Sequence, residues 1–83
     1  MKVLVVGYSA DAQPPLLSRL ARALPGAELI TLAGAEDVRN ALASDDLMLV
    51  VTDHRPPETD GLRILRLVRR ERPNLPVLMV TAH

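Results

Sequence analysis

LMLVVTDHRPPETDG, residues Leu47 to Gly61, is the stretch that decides how this chain folds. It opens with an unbroken apolar run, Leu47 to Val51. A run this short and this apolar predicts a strand buried on both faces, as in a parallel sheet. The strand ends on Thr52 and Asp53. His54-Arg55-Pro56-Pro57 follows, and it cannot continue a ladder because proline has no backbone N–H. Asp60-Gly61 closes the turn and opens a helix. A carboxylate at the carboxyl end of a central parallel strand sits where open α/β sheets place their chemistry. Asp53 is therefore the first candidate functional residue. Asp also ends strands because its side chain bonds nearby backbone in a turn. Position alone leaves both readings open.

Upstream, Val3 to Val6 is a second short apolar run, a candidate buried first strand. Pro14 and Pro15 suit the first turn of a helix, where a missing N–H costs little. Leu16, Leu17, Leu20, Ala21 and Leu24 then share one arc, with Ser18, Arg19 and Arg22 opposite, which predicts an amphipathic helix against a sheet. Pro25-Gly26 stops it. Glu28 to Ala33 reads as a strand and Gly34 breaks it. Glu36 and Asp37 stand where acids favour a helix N-terminus. Val38, Ala41 and Leu42 give that helix a short apolar stripe, and Ser44-Asp45-Asp46 ends it. Downstream, Leu62 to Arg72 predicts the best-defined helix. Ile64, Leu65, Leu67 and Val68 form its apolar face, and Arg63, Arg66, Arg69 and Arg70 its solvated one. Pro73-Asn74-Leu75-Pro76 terminates it, and Val77 to Val80 is a fourth strand. Strand and helix alternate throughout, which argues for a parallel sheet with helices on both faces.

At 83 residues the chain holds one domain at most. Nearly half its residues are apolar, so it is globular rather than disordered. The basic and acidic residues cancel, which gives no support for general nucleic-acid or acidic-membrane binding. The absence of cysteine excludes a disulfide scaffold and a thiolate metal site. The start MKVLVVGYSA is too short for a spanning helix and reads poorly as a signal peptide, so a cytoplasmic protein is expected. Tyr8 alone supplies an aromatic ring of the Phe, Tyr or Trp kind, too few for a base-stacking platform.

The strand, Asp53, Pro57 and Asp60-Gly61 resemble the phosphoacceptor loop of response-regulator receiver domains. The position before that proline is usually Met in the family and is Pro56 here. The end of the chain, PVLMVTAH, resembles the family's fourth strand, whose terminal Thr or Ser, here Thr81, contacts the phosphoryl group. The resemblance runs from Lys2 to His83. It implies a flavodoxin-like open parallel sheet with strand order 2-1-3-4. Right-handed crossovers then put the first helix on one face and the second and third on the other. It implies that Asp53 accepts a phosphoryl group from a histidine kinase or a phosphotransfer protein, and that the chain is not an enzyme in the usual sense. It also implies Mg²⁺, held by two consecutive acids after the first strand, by the acceptor Asp53 and by the backbone carbonyl of Arg55. The acids are missing, since Gly7 and Tyr8 stand in their places. Mg²⁺ binding is therefore expected to be weak or absent.

Receiver domains have a fifth strand, followed by the family's lysine, and five helices. Residues 1–83 are thus expected to be an incomplete receiver-like domain. A missing C-terminal segment, or edge pairing in a homodimer, would complete the sheet. A rival reading keeps the fold without the chemistry: a pseudo-receiver serving as a protein–protein interaction module. A third, a flavodoxin-like nucleotide-binding or enzymatic fragment, lacks a glycine-rich loop, because Gly7-Tyr8-Ser9-Ala10 has one glycine and no following Lys. Asp11 reads as a helix start or as a stand-in acid if its loop folds inward. His54 and His83 lack metal-ligand spacing and read as surface or packing residues.

Overall fold

The computed structural model describes residues 1–7, 13–56 and 59–80. These form β1 (Lys2–Val6), α1 (Gln13–Ala23), β2 (Glu28–Leu32), α2 (Ala35–Ala41), β3 (Leu47–Asp53), α3 (Gly61–Glu71) and β4 (Val77–Val80). Every pairing is parallel, and the order is β2-β1-β3-β4. This is the flavodoxin-like α/β arrangement expected from the sequence.

The unbroken apolar runs within β1 (Val3 to Val6) and β3 (Leu47 to Val51) explain why these strands lie in the middle. Successive side chains of a strand point to opposite faces, so a strand with no polar alternation needs a cover on both. Leu4, Val6 and Val50 face one side, where they pack with Val38 and Leu42 of the α2 region and with Ile64, Leu67 and Val68 of α3. Val3, Val5 and Val51 face the other, against Leu17, Leu20 and Leu24 on and just beyond α1. Val3 to Val6 have no exposed surface at all. Burying each such side chain contributes roughly 1.5–3 kcal/mol, which makes β1 the best-anchored element.

Caps set the helix ends. The Asp60 carboxylate accepts the backbone N–H of Arg63 at 3.1 Å, so Gly61 becomes the first helical residue of α3, one earlier than expected. Pro73 disfavours a helical Arg72, and α3 stops at Glu71. The Arg72 guanidinium donates to the carbonyls of Leu42 (2.7 Å) and Ser44 (2.9 Å), tying the end of α3 to the end of α2. The second strand stops at Leu32, one residue short of the expected Ala33. Ala21 was expected on the buried arc of α1 and is exposed. A methyl group gives that position little reach to the sheet, and Leu17, Leu20 and Leu24 make the contact instead. Leu65 is only half-buried beside Ile64, Leu67 and Val68.

Candidate functional site

The carboxyl ends of β1 and β3 bring Gly7 and Asp53 to the same end of the sheet. Val6 is in register with Thr52, and Val80 of β4 with Asp53. Asp53 is therefore paired on the β4 side, lies one residue beyond the last β1 pair, and is only 5% exposed. A carboxylate so buried is costly unless its oxygens are satisfied. Oδ1 accepts the backbone N–H of His54 at 2.7 Å, and Oδ2 accepts Nε–H of Arg55 at 2.7 Å. Thr52, fully buried, satisfies its own hydroxyl by donating to the Asp53 carbonyl at 2.9 Å.

The loop that follows is shaped to put Arg55 there. Arg55 and Thr59 exchange both backbone hydrogen bonds, at 2.9 and 3.0 Å, in an isolated antiparallel bridge. This folds the loop back so that Arg55 turns toward the strand it has just left. The Thr59 hydroxyl donates to the Gly7 carbonyl at 3.3 Å, joining the loop to the end of β1. The Gly61 N–H donates to Nδ1 of His54 at 3.0 Å. Gly61 is required by close approach: a Cβ there would lie 2.6 Å from the Asp53 carbonyl oxygen. Gly7 is required by conformation and by space. Its φ of 85° is left-handed, and a Cβ would fall inside the Thr59 side chain.

Among the described residues, no three His, Cys, Asp or Glu side chains converge as a metal site. The oxygens implied for Mg²⁺ are present, the Asp53 carboxylate and the Arg55 carbonyl. The carbonyl already accepts the Thr59 N–H, and the Arg55 guanidinium rests on the carboxylate. A hard divalent cation prefers a nearly complete shell of oxygens. The described residues supply only these two oxygen ligands, one of them under the half-exposed Arg55 guanidinium, and so do not by themselves complete a shell for the ion. What the arrangement supplies is a buried carboxylate whose charge is offset by an arginine from its own loop.

Tyr8, Asp11, Pro57, Thr81 and His83 lie outside the described residues. His54 is half-buried with its ring engaged by the start of α3. Three participants were missed in the sequence: the Arg55 side chain, the buried Thr59, and the ring of His54 as an acceptor. A basic residue two positions after a strand-end Asp, in a proline-closed loop, is a usable signal for the first. Thr59 carries none, because its place depends on the loop's return path.

A family model for the response regulator receiver domain matches residues 8–83. The DNA-binding transcriptional regulator NtrC of Escherichia coli K12 is 41% identical over 66 residues, spanning 77% of this chain and 14% of that protein. NtrC of Klebsiella pneumoniae is 38% identical over 80 residues, spanning 94% of this chain and 17% of that protein. The response regulator protein FleR of Pseudomonas aeruginosa is 38% identical over 60 residues, spanning 72% and 13%. The chain thus spans 13–17% of the length of these relatives. The MaeR response regulator bound to beryllium trifluoride shares the fold, with a TM-score of 0.81 and 23% identity over all of this chain and 68% of that one.

Proposed function

Because this chain belongs to the response-regulator receiver-domain family, we propose that it takes a phosphoryl group on Asp53 from a histidine kinase or phosphotransfer protein. It then presents that state to a partner, as a signalling module of the cytoplasm and not as an enzyme. The observation that carries the reading is the buried Asp53 carboxylate at the carboxyl end of β3, held by the His54 N–H and the Arg55 guanidinium. In the transfer, one Asp53 oxygen attacks phosphorus in line. The bond from phosphorus to the donor's imidazole nitrogen breaks, its electron pair stays with the nitrogen, and an acyl phosphate remains on Asp53. An anion approaching an anion needs neutralisation, and Arg55 is the described cation in place to give it. Thr81, which follows Val80, is the group we assign to contact the phosphoryl oxygens. The exposed edge of β4 is assigned to a further strand, from a longer chain or a second copy.

The pseudo-receiver alternative gains no support from the comparisons. Incubation with a small-molecule phosphoryl donor, read by intact mass, separates the two. A single added phosphoryl group supports the receiver reading. No uptake by a protein that stays folded by circular dichroism returns the alternative.

A further inference from the structure

Two of the six arginines on the α2–α3 face are held by hydrogen bonds to described residues. Arg72 holds the Leu42 and Ser44 carbonyls, and Arg69 donates to the Pro73 carbonyl at 2.9 Å. Arg70 lies 3.6 Å from the Glu71 carboxylate, beyond a good hydrogen bond. The side chains of Arg39, Arg63 and Arg66 make no hydrogen bond or ion pair with another described residue. These three and Arg70 line one groove of about 450 Å³ between the two helices. Glu36 is the one carboxylate of its lining. The chain as a whole has no net charge, so this positive excess is local. Like charges one turn apart on a helix destabilise it, as Arg63, Arg66 and Arg70 do along α3. An anion in the groove removes that repulsion.

The dimensions narrow the class of anion. Arg63 and Arg70 are separated by about 10 Å along the helix, at about 1.5 Å per residue. A single phosphate does not reach both ends, whereas a short phosphate chain does. Guanidinium groups bind phosphate oxygens in pairs. An acidic peptide would want an apolar anchor, and Leu67 in the groove is only 6% exposed. The groove's volume is that of a small-molecule site, and a chain of zero net charge has no long-range field to gather nucleic acid. We propose that the α2–α3 groove binds a compact polyanion with two or more linked phosphates, of the nucleoside-polyphosphate or inorganic-polyphosphate class. The site is independent of Asp53 and of the receiver reading.

The test is calorimetric titration of the 83-residue protein with inorganic triphosphate and, separately, with ATP. Saturable one-to-one binding is expected. It should weaken about tenfold in Arg66→Gln and in Arg39→Gln, the worth of one charge-assisted contact. It should be unchanged in Arg69→Gln, which keeps the charge count of the other variants but lies outside the groove, and in Asp53→Asn. All four substituted proteins are checked for fold by circular dichroism. Equal affinity for the two ligands assigns the site to the phosphate chain, and tighter ATP binding assigns it to a nucleotide. Absence of saturable binding overturns the proposal. So does an Arg69→Gln loss equal to that of Arg66→Gln, or binding of a single-stranded oligonucleotide by a protein that ignores triphosphate.

Discussion

Removing the Arg55 side chain should loosen the end of β3, and the size of the effect can be bracketed from the geometry. The pair is short, at 2.7 Å, but uneven: the Asp53 side chain is 7% exposed and that of Arg55 is 49% exposed. Breaking a fully buried ion pair costs about 3–5 kcal/mol, because the remaining charge is stranded. An exposed pair is worth only about 0–1 kcal/mol. With one partner buried and the other half in water, Arg55→Ala should cost about 1–2 kcal/mol, after discounting for solvent screening. For a domain of this size each kcal/mol moves Tm by roughly 4–8 °C. Urea unfolding followed by circular dichroism measures the loss. It is best done as a cycle with Asp53→Asn, which removes the charge and keeps the shape. In the Asp53→Asn background, Arg55→Ala should cost no more than about 0.5 kcal/mol, the level of an ordinary surface change. Added salt should shrink the coupling only in part, since half of the pair is shielded from solvent. An Arg55→Ala protein as stable as the parent, or an equal cost in both backgrounds, would refute the reasoning that Arg55 offsets the Asp53 charge.

Restoring an acid after β1 should fail on its own. Gly7→Asp meets both a left-handed φ and the Thr59 side chain, so it should lose at least about 1–2 kcal/mol in urea unfolding, and pairing it with Tyr8→Asp should give little Mg²⁺ affinity by calorimetry. Leu78, 49% exposed on the β4 edge, should drive concentration-dependent association in sedimentation velocity, and Leu78→Lys should reduce it; a parent protein that is monomeric at every concentration would count against an open edge. The Asp46 carboxyl is held below its ordinary value, chiefly by a hydrogen bond from the Met1 ammonium. Its stabilising contribution is therefore present above the unfolded value of 3.8 and disappears as the pH falls through the lower folded value, so Asp46→Asn should flatten the stability profile below about pH 4.

The sheet was legible because its central strands are built on unbroken apolar runs, Val3 to Val6 and Leu47 to Val51, with polar residues only at their ends. Leu4 and Val5, or Val50 and Val51, face opposite ways and are both buried, which only a two-sided cover permits. Asp53 was legible as the polar residue that ends such a run. What could not be read are features set by the path of the chain rather than by local pattern. Thr59 meets the Arg55 backbone and the Gly7 carbonyl through contacts that no local pattern announces. Arg39 meets Arg63 and Arg66 only because α2 packs beside α3. Ala21 fits the helical period as well as Leu20 does, and only side-chain length separates them. The role of Thr81 rests on resemblance, since that residue lies outside the described part of the chain.

The most direct measurement is chemical mapping of the modified residue. An acyl phosphate on aspartate is reduced by borohydride to homoserine, which peptide mass spectrometry locates. After treatment with a phosphoryl donor, the account predicts homoserine at position 53 in the parent protein and none in Asp53→Asn or in untreated samples. Phosphate that maps to another residue, or that persists on the Asp53→Asn protein, would contradict it.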